Sequence, residues 1–201
     1  GDYEESRGAG GSAVNIRMTL KTKGMTLFVA LLLALVPVMG LASSASVPEL
    51  GLTVAFPGNL DLFTRGMDGN DPLLKLYGKT AGQVAEELQS AGLTALAVDI
   101  AGEFTIGLVV SGGTFTDYGS MDEEILLAQA AALGSSDYEL LEIAPGHALL
   151  VQPDAGHRLI ARFQGASLAF ELRLETAGRV RSSMVSAVKG ILRRVDISQG
   201  Q

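Results

Sequence analysis

The chain contains no cysteine and no tryptophan among its 201 residues. Without cysteine there can be no disulfide, no thiolate metal site, no thiol nucleophile and no lipidated cysteine at the end of a leader. Aromatic residues make up only 5% of the sequence, and sites that bind sugars or stack on flat ligands usually depend on such rings. A stacking site is therefore disfavoured, whereas the cell compartment stays open.

Basic residues are also scarce. The chain has 15 lysines and arginines against 22 aspartates and glutamates, for a net charge of −7. The first 45 residues hold three acidic and four basic side chains, so the remainder has 19 acidic and 11 basic residues and a net charge near −8. Nucleic acids and anionic membrane surfaces both select basic surfaces. We therefore expect no nucleic-acid partner, and membrane contact only through the N-terminal apolar segment described next.

One long apolar run stands near the N-terminus. It covers residues 25–42, follows Lys21 and Lys23, and leads into a segment of small residues. A basic start, an apolar core and a small-residue exit are typical of a secretory signal, here with cleavage after Ala45 or after Ala42. The run of 18 residues is also at the lower limit of the about 17–25 that span a bilayer. An uncleaved membrane anchor is the alternative.

These features divide the chain into three parts. Residues 1–17 are polar, glycine-rich and without periodicity, and we predict an upstream extension outside the fold. Residues 18–45 form the signal peptide or N-terminal membrane anchor. Residues 46–201 form a single domain, because a length of this order is typical of one hydrophobic core. An extracellular or cell-surface location follows from the leader.

Alternation and turn residues predict the elements of this domain. We expect strands at 50–56, 95–100, 104–111, 138–144, 147–151, 158–163 and 167–175, and a short strand at 60–64 that forms a hairpin with the first. We expect helices at 81–91, 121–133 and 177–195. Thr80–Gln83 and Ser120–Glu123 match the capping box at a helix N-terminus. Residues 196–201 are expected to fray.

The order of these elements predicts an α+β fold. Short turns between the late strands imply antiparallel pairing, with one face of the sheet buried and one wet. The helices must then cover one face of the sheet, which gives a two-layer sandwich closed by an amphipathic C-terminal helix.

The layout resembles the PsbP-like fold, and two segments add a closer likeness. Residues 50–72, LGLTVAFPGNLDLFTRGMDGNDP, and residues 188–195, VKGILRRV, are similar to the opening and the closing helix of small exported proteins of Gram-positive bacteria. A tryptophan commonly follows the first turn in that group, where this chain has Leu60, Asp61 and Leu62. The resemblance implies an accessory or binding role and no established reaction.

The loop that carries this likeness is the first candidate site. Its residues Arg65, Asp68, Asn70 and Asp71 form the predicted binding set, and Asp61 lies close by in sequence. Carboxylate and amide oxygens on a glycine-containing loop are ligands for Ca²⁺, but the EF-hand spacing is absent. We favour a turn whose side chains bond nearby backbone amides. No metal and no cofactor are predicted.

The two histidines, His147 and His157, lie at predicted strand edges or turns. Zinc would need further ligands, and general-base catalysis would need a nucleophile and an orienting partner within about 3 Å. We expect two surface histidines and no catalytic residue.

Arginines on the late strands form the last candidate group. Arg158, Arg162 and Arg173 lie near Glu171 and Glu175 on strands that we expect to be neighbours. Cross-strand ion pairs are the favoured interpretation. The alternative is a basic groove for an acidic ligand.

These observations favour an exported, non-catalytic binding or accessory module at the bacterial cell surface, with an unknown protein or small ligand as partner. One alternative is a secreted hydrolase that uses His147 or His157. Another is an envelope structural protein that self-associates.

Overall fold

The computed structural model describes residues 42–198. The upstream extension and nearly all of the leader that the sequence predicts lie outside the described residues. Within them, no helix is both long and apolar enough to cross a membrane.

The described chain forms ten strands and four α-helices. The strands are β1 (Ser43–Val47), β2 (Leu52–Phe56), β3 (Leu60–Thr64), β4 (Ala95–Asp99), β5 (Phe104–Gly112), β6 (Glu139–Ile143), β7 (Gly146–Val151), β8 (Arg158–Gln164), β9 (Leu168–Thr176) and β10 (Val195–Ile197). The helices are α1 (Pro72–Leu76), α2 (Ala81–Ser90), α3 (Glu123–Ala132) and α4 (Ser182–Leu192).

A seven-stranded sheet dominates the fold. Its order is β3-β4-β5-β9-β8-β7-β6, and every neighbouring pair is antiparallel. The predicted hairpin of β4 and β5 and the predicted meander from β6 to β9 are confirmed. The longest ladder joins β5 to β9, with Phe104 opposite Thr176 and Gly112 opposite Leu168. The protein is thus α+β with a large antiparallel sheet.

A second, three-stranded sheet has the order β1-β2-β10 and corrects two predictions. Strand β3 does not form a hairpin with β2, because it pairs with β4 in the large sheet. The tail is not frayed at residues 196 and 197, and the helix predicted at 177–195 covers only Ser182–Leu192, because Val195 belongs to β10, which pairs with β2. Strand β1 begins at Ser43, so the predicted boundary between residues 45 and 46 falls within a strand. Ala45 is 2% exposed there.

The helix ends show which capping signals the chain uses. At α2 the Thr80 hydroxyl accepts from the Gln83 amide at 3.2 Å and the Gln83 side chain accepts from the Thr80 amide at 2.9 Å, as predicted. The second predicted box is wrong, because Ser120 lies in a 3-10 turn, Tyr118–Ser120, and α3 begins after Asp122.

The large sheet packs on both of its faces, because successive side chains of a strand point to opposite sides. Its inner face meets α4 and the small sheet in the main core. On the outer face, α2 packs on β3 and β4 at one end. Tyr118 and α3 pack on β7 at the other end. The prediction of helices on one face is therefore wrong, since apolar side chains line both faces of β4 and β7.

Among residues 42–198, the helices α2 and α3 pack on the two ends of the outer face and not on its middle. There, β8 and β9 carry Arg162, Glu171 and Arg173, whose neighbours along each strand point into the main core. The apolar ends of this face and its polar centre together create the groove described next.

Candidate functional site

The predicted loop site uses its side chains to hold its own backbone. The Arg65 Nε donates to the Leu93 carbonyl at 2.8 Å, which fixes the start of the loop. Asp68 Oδ1 accepts from the Asn70 amide at 2.8 Å, and Asn70 is exposed. Asp71 Oδ1 accepts from a backbone amide of α1 at 2.9 Å and so caps that helix. These bonds are the turn interactions that the sequence favoured.

The fifth polar residue near the loop points elsewhere. Asp61 lies on β3, is 9% exposed, and accepts from the Tyr77 hydroxyl at 2.8 Å. Burial and this hydrogen bond raise the pKa of Tyr77 above its ordinary value. Within residues 42–198, no group of three or more histidine, aspartate or glutamate side chains is placed to hold a metal ion.

The two histidines have different surroundings. His157 is exposed, and its Nδ1 lies 3.3 Å from the carbonyl oxygen of Ala155. His147 lies on β7 and pairs with Asp117, which accepts from the His147 amide at 3.0 Å and lies 3.0 Å from its Nδ1. No local sequence pattern indicates this pair, because 30 residues separate its members.

The His147–Asp117 pair has the geometry of an oriented imidazole. One carboxylate fixes both the backbone and the ring, and the two side chains are 35% and 32% exposed. Gly119 packs against the ring, where a Cβ would lie 2.2 Å from Nδ1. Within the described chain, no hydroxyl group hydrogen bonds to His147, so the carboxylate of Asp117 is the side-chain partner of its ring there.

A groove of about 230 Å³ opens on the outer face, where the ends of β5, β8 and β9 meet the 3-10 turn. We call it the Arg162 groove. The side chains that matter for its chemistry are Val109, Phe115, Tyr118, Arg162, Gln164 and Glu171.

Glu171 in this groove is held between two arginines. Arg162 Nε lies 2.5 Å from Glu171 Oε2, and Arg173 Nη2 lies 2.6 Å from Glu171 Oε1. Burial alone would raise the pKa of Glu171, but the bonds from both guanidinium groups outweigh burial and hold the pKa below its ordinary value. Arg158 and Glu175 form a further pair at 3.3 Å. The predicted cross-strand ion pairs are confirmed for Arg162 and Arg158, whereas Arg173 pairs with Glu171 along its own strand.

Tyr118 lies at the wall of the groove and is fully buried. Its hydroxyl has no hydrogen-bond partner among residues 42–198. Burial raises the pKa of this hydroxyl, while the charge of Arg162 lowers it and that of Glu171 raises it. The hydroxyl therefore lies within the electrostatic reach of both groove residues.

A larger cleft, of about 510 Å³, lies near β6–β8, on the opposite face of the large sheet from the Arg162 groove. Its apolar residues are Leu150 of β7, Leu159 of β8, Val180 shortly before α4, and Val185 of α4. Its polar residues include Asp137, Glu139, Asp154 and Arg179. Arg179 makes no ion pair within the described chain, whereas Glu139 pairs with Lys189 at 2.6 Å.

Comparison with known proteins adds little to this geometry. No protein-family model matches the chain, and no curated protein sequence matches it. A search of solved structures returned the solution structure of cyanobacterial PsbP (CyanoP) from Synechocystis sp. PCC 6803, with a TM-score of 0.42 and 11% identity, over 83% of this chain and 99% of that chain. A likeness this distant supports no statement about activity, ligand or partner.

Proposed function

We propose that the protein is an exported, non-catalytic binding module of the PsbP-like type at the bacterial cell surface. Its ligand is a small amphipathic molecule that occupies the 510 Å³ cleft. Export rests on the basic, apolar and small-residue order of the leader. The PsbP-like assignment rests on the layout of the elements, and the bacterial cell-surface assignment rests on the likeness of residues 50–72 to small exported proteins of Gram-positive bacteria.

The cleft is the observation that carries this proposal. Small-molecule sites typically measure about 300–1,000 Å³ and combine an apolar lining with a few polar groups that orient the ligand. Here, Leu150 and Leu159 are buried residues of the main core, and Val180 and Val185 are partly exposed beside them. An apolar ligand body would cover these valines, while the polar residues would face its head group.

Val185 offers a direct test of the cleft. We expect Val185→Phe to fill the cleft without adding polarity, so that the variant folds and loses ligand. Full-length wild-type protein and the variant are immobilised and exposed to envelope extract, and eluted small molecules are compared by mass spectrometry. Ser186→Ala, at the exposed neighbouring position, is the matched control. If the two variants retain the same compounds as wild type, the cleft is not the site.

The predicted loop enters the same experiment. Asp68→Ala/Asp71→Ala removes one turn bond and one helix cap. Because these carboxylates bond backbone amides, we expect lower stability with unchanged ligand retention. Loss of ligand from this variant with the fold intact would move the site to the loop.

A hydrolase is the second candidate, because His147 has an orienting carboxylate at 3.0 Å. In this case water would be the nucleophile and His147 the general base. Hydrolysis of p-nitrophenyl esters by wild type, His147→Asn and His157→Asn separates the two functions. Turnover that falls in the first variant and persists in the second would replace the binding proposal with catalysis.

A further inference from the structure

The buried hydroxyl of Tyr118 needs a physical explanation. Tyrosine hydroxyls that are buried usually have a hydrogen-bond partner, because a lost bond to water is otherwise uncompensated. Tyr118 is fully buried, and no described residue bonds its hydroxyl. The hydroxyl belongs to a residue that lines the Arg162 groove, so a group bound in the groove is a candidate partner.

Arg162 has unused donors in the same place. Its Nε donates to Glu171, and its two terminal nitrogens have no hydrogen-bond partner within residues 42–198. Glu171 is already shared with Arg173, which donates through Nε and Nη2. The Arg162 side chain is 33% exposed, so a ligand can reach these nitrogens. The groove therefore offers a guanidinium edge that can donate, and one of its lining residues, Tyr118, carries an unpartnered hydroxyl that is buried in the ligand-free protein.

The charge of the groove selects the ligand. Arg162 and Arg173 share the single carboxylate of Glu171, so these three side chains together carry one net positive charge on a domain that is otherwise acidic. Arg158 and Glu175 on this face pair with each other at 3.3 Å, and Asp117, next to Tyr118 in the chain, pairs with His147 at 3.0 Å. A single positive charge matches a monoanion better than a dianion, and the guanidinium edge matches the planar geometry of a carboxylate.

We propose that the Arg162 groove binds a small monocarboxylic acid. The carboxylate accepts from the terminal nitrogens of Arg162 and, after a local rearrangement of the groove wall uncovers it, from the hydroxyl of Tyr118. The apolar part of the acid lies against Val109 and Phe115, which line the same groove. The volume of about 230 Å³ limits the ligand to a molecule of roughly the size of benzoate. This site is separate from the cleft assigned above, so each can fail without the other.

Benzoate is the probe, used with the full-length chain in a mild detergent at constant ionic strength. The chain has four tyrosines, so labelling the ζ-carbon of tyrosine gives few signals, which Tyr→Phe variants assign. We expect the Tyr118 signal to move to saturation with benzoate and to stay in place with benzyl alcohol. Phenyl phosphate, a dianion of similar shape, should bind more weakly than benzoate.

Affinities of variants, measured by calorimetry, test the two donors. Arg162→Gln should weaken benzoate binding about tenfold or more, since a charge-assisted bond is lost. Tyr118→Phe, which keeps the packing of the ring, should weaken it about threefold. Arg158→Gln, on the same strand and face, should change it less than about twofold, because exposed ion pairs contribute little. Val185→Phe, in the separate cleft, should leave benzoate binding unchanged.

Several results would overturn the proposal. A Tyr118 signal that does not move, that moves without saturation, or that moves equally with benzyl alcohol means that no carboxylate site exists. Tighter binding of phenyl phosphate would assign the groove to phosphate esters. Equal affinities in wild type, Arg162→Gln and Tyr118→Phe would place benzoate elsewhere.

Discussion

Tyr118→Phe should stabilise the ligand-free protein, although it removes a polar group that most tyrosines use. An unsatisfied buried hydroxyl costs about 1–3 kcal/mol, because its bonds to water are lost and none replaces them. The Tyr118 hydroxyl is in this state within the described chain. The substitution removes only the oxygen, and the ring stays packed on Leu149 and Val151 beneath α3. We therefore expect the free energy of unfolding to rise by about 1–3 kcal/mol.

Thermal and urea unfolding measure this change. For a domain of this size, each kcal/mol shifts Tm by roughly 2–4 °C, so a rise of about 2–12 °C is expected. The slope of the urea transition should stay the same, since the surface exposed on unfolding does not change. Both measurements are made without added carboxylic acids, which would stabilise the wild type by binding.

Tyr77→Phe is the matched control, because the same atom is removed from a hydroxyl that has a partner. The Tyr77 hydroxyl donates to Asp61 at 2.8 Å, and Asp61 is 9% exposed. Its loss should lower the free energy of unfolding by about 1–3 kcal/mol. Opposite signs for the two variants would support the reasoning. A loss of stability in Tyr118→Phe comparable to that in Tyr77→Phe would refute it and show that the Tyr118 hydroxyl is hydrogen bonded.

Three further predictions concern charge, backbone and processing. Glu171→Gln should lower the free energy of unfolding by about 2 kcal/mol at neutral pH. Because the folded pKa of Glu171 is lowered, only the wild type should lose this stabilisation in urea titrations, as pH falls below about 4.3, the ordinary pKa of glutamate, and then through the folded pKa. Gly51→Ala should lower Tm more than Gly78→Ala, because both glycines have φ near +60° but only at Gly51 would a Cβ lie 2.3 Å from a backbone oxygen; equal shifts would contradict a steric cause. If the leader is cleaved, mass spectrometry of the N-terminus should find cleavage after Ala42. Cleavage after Ala45 would remove three residues of β1. A mature chain that begins at residue 46 would disprove this prediction.

Local patterns predicted the elements well where a single segment contains the whole signal. The Thr80 and Gln83 spacing predicted the start of α2 and its reciprocal bonds. Strict alternation predicted β9, and short turns predicted the meander around it. In each case the residues that interact are neighbours in sequence, so their spacing determines the geometry.

The errors arose where distant segments decide the outcome. The turn residues between β2 and β3 do not indicate that β3 pairs with β4 and not with β2. The three residues of β10 are too few to show alternation, and only their pairing with β2 makes them a strand. The ion pairs of Glu171 followed from strand order, whereas the unsatisfied state of Tyr118 depends on burial by α3 and β7, which no spacing reveals.

The position of β2 between β1 and β10 has a consequence for how the protein acquires its structure. One neighbour of β2 precedes it by a few residues, and the other follows it by about 140 positions in the chain. Contacts between such distant segments form late, because a long loop must close first. A chain still emerging from a ribosome would lack β10 and could not complete its small sheet. The small sheet would therefore form only when synthesis of the domain is nearly complete.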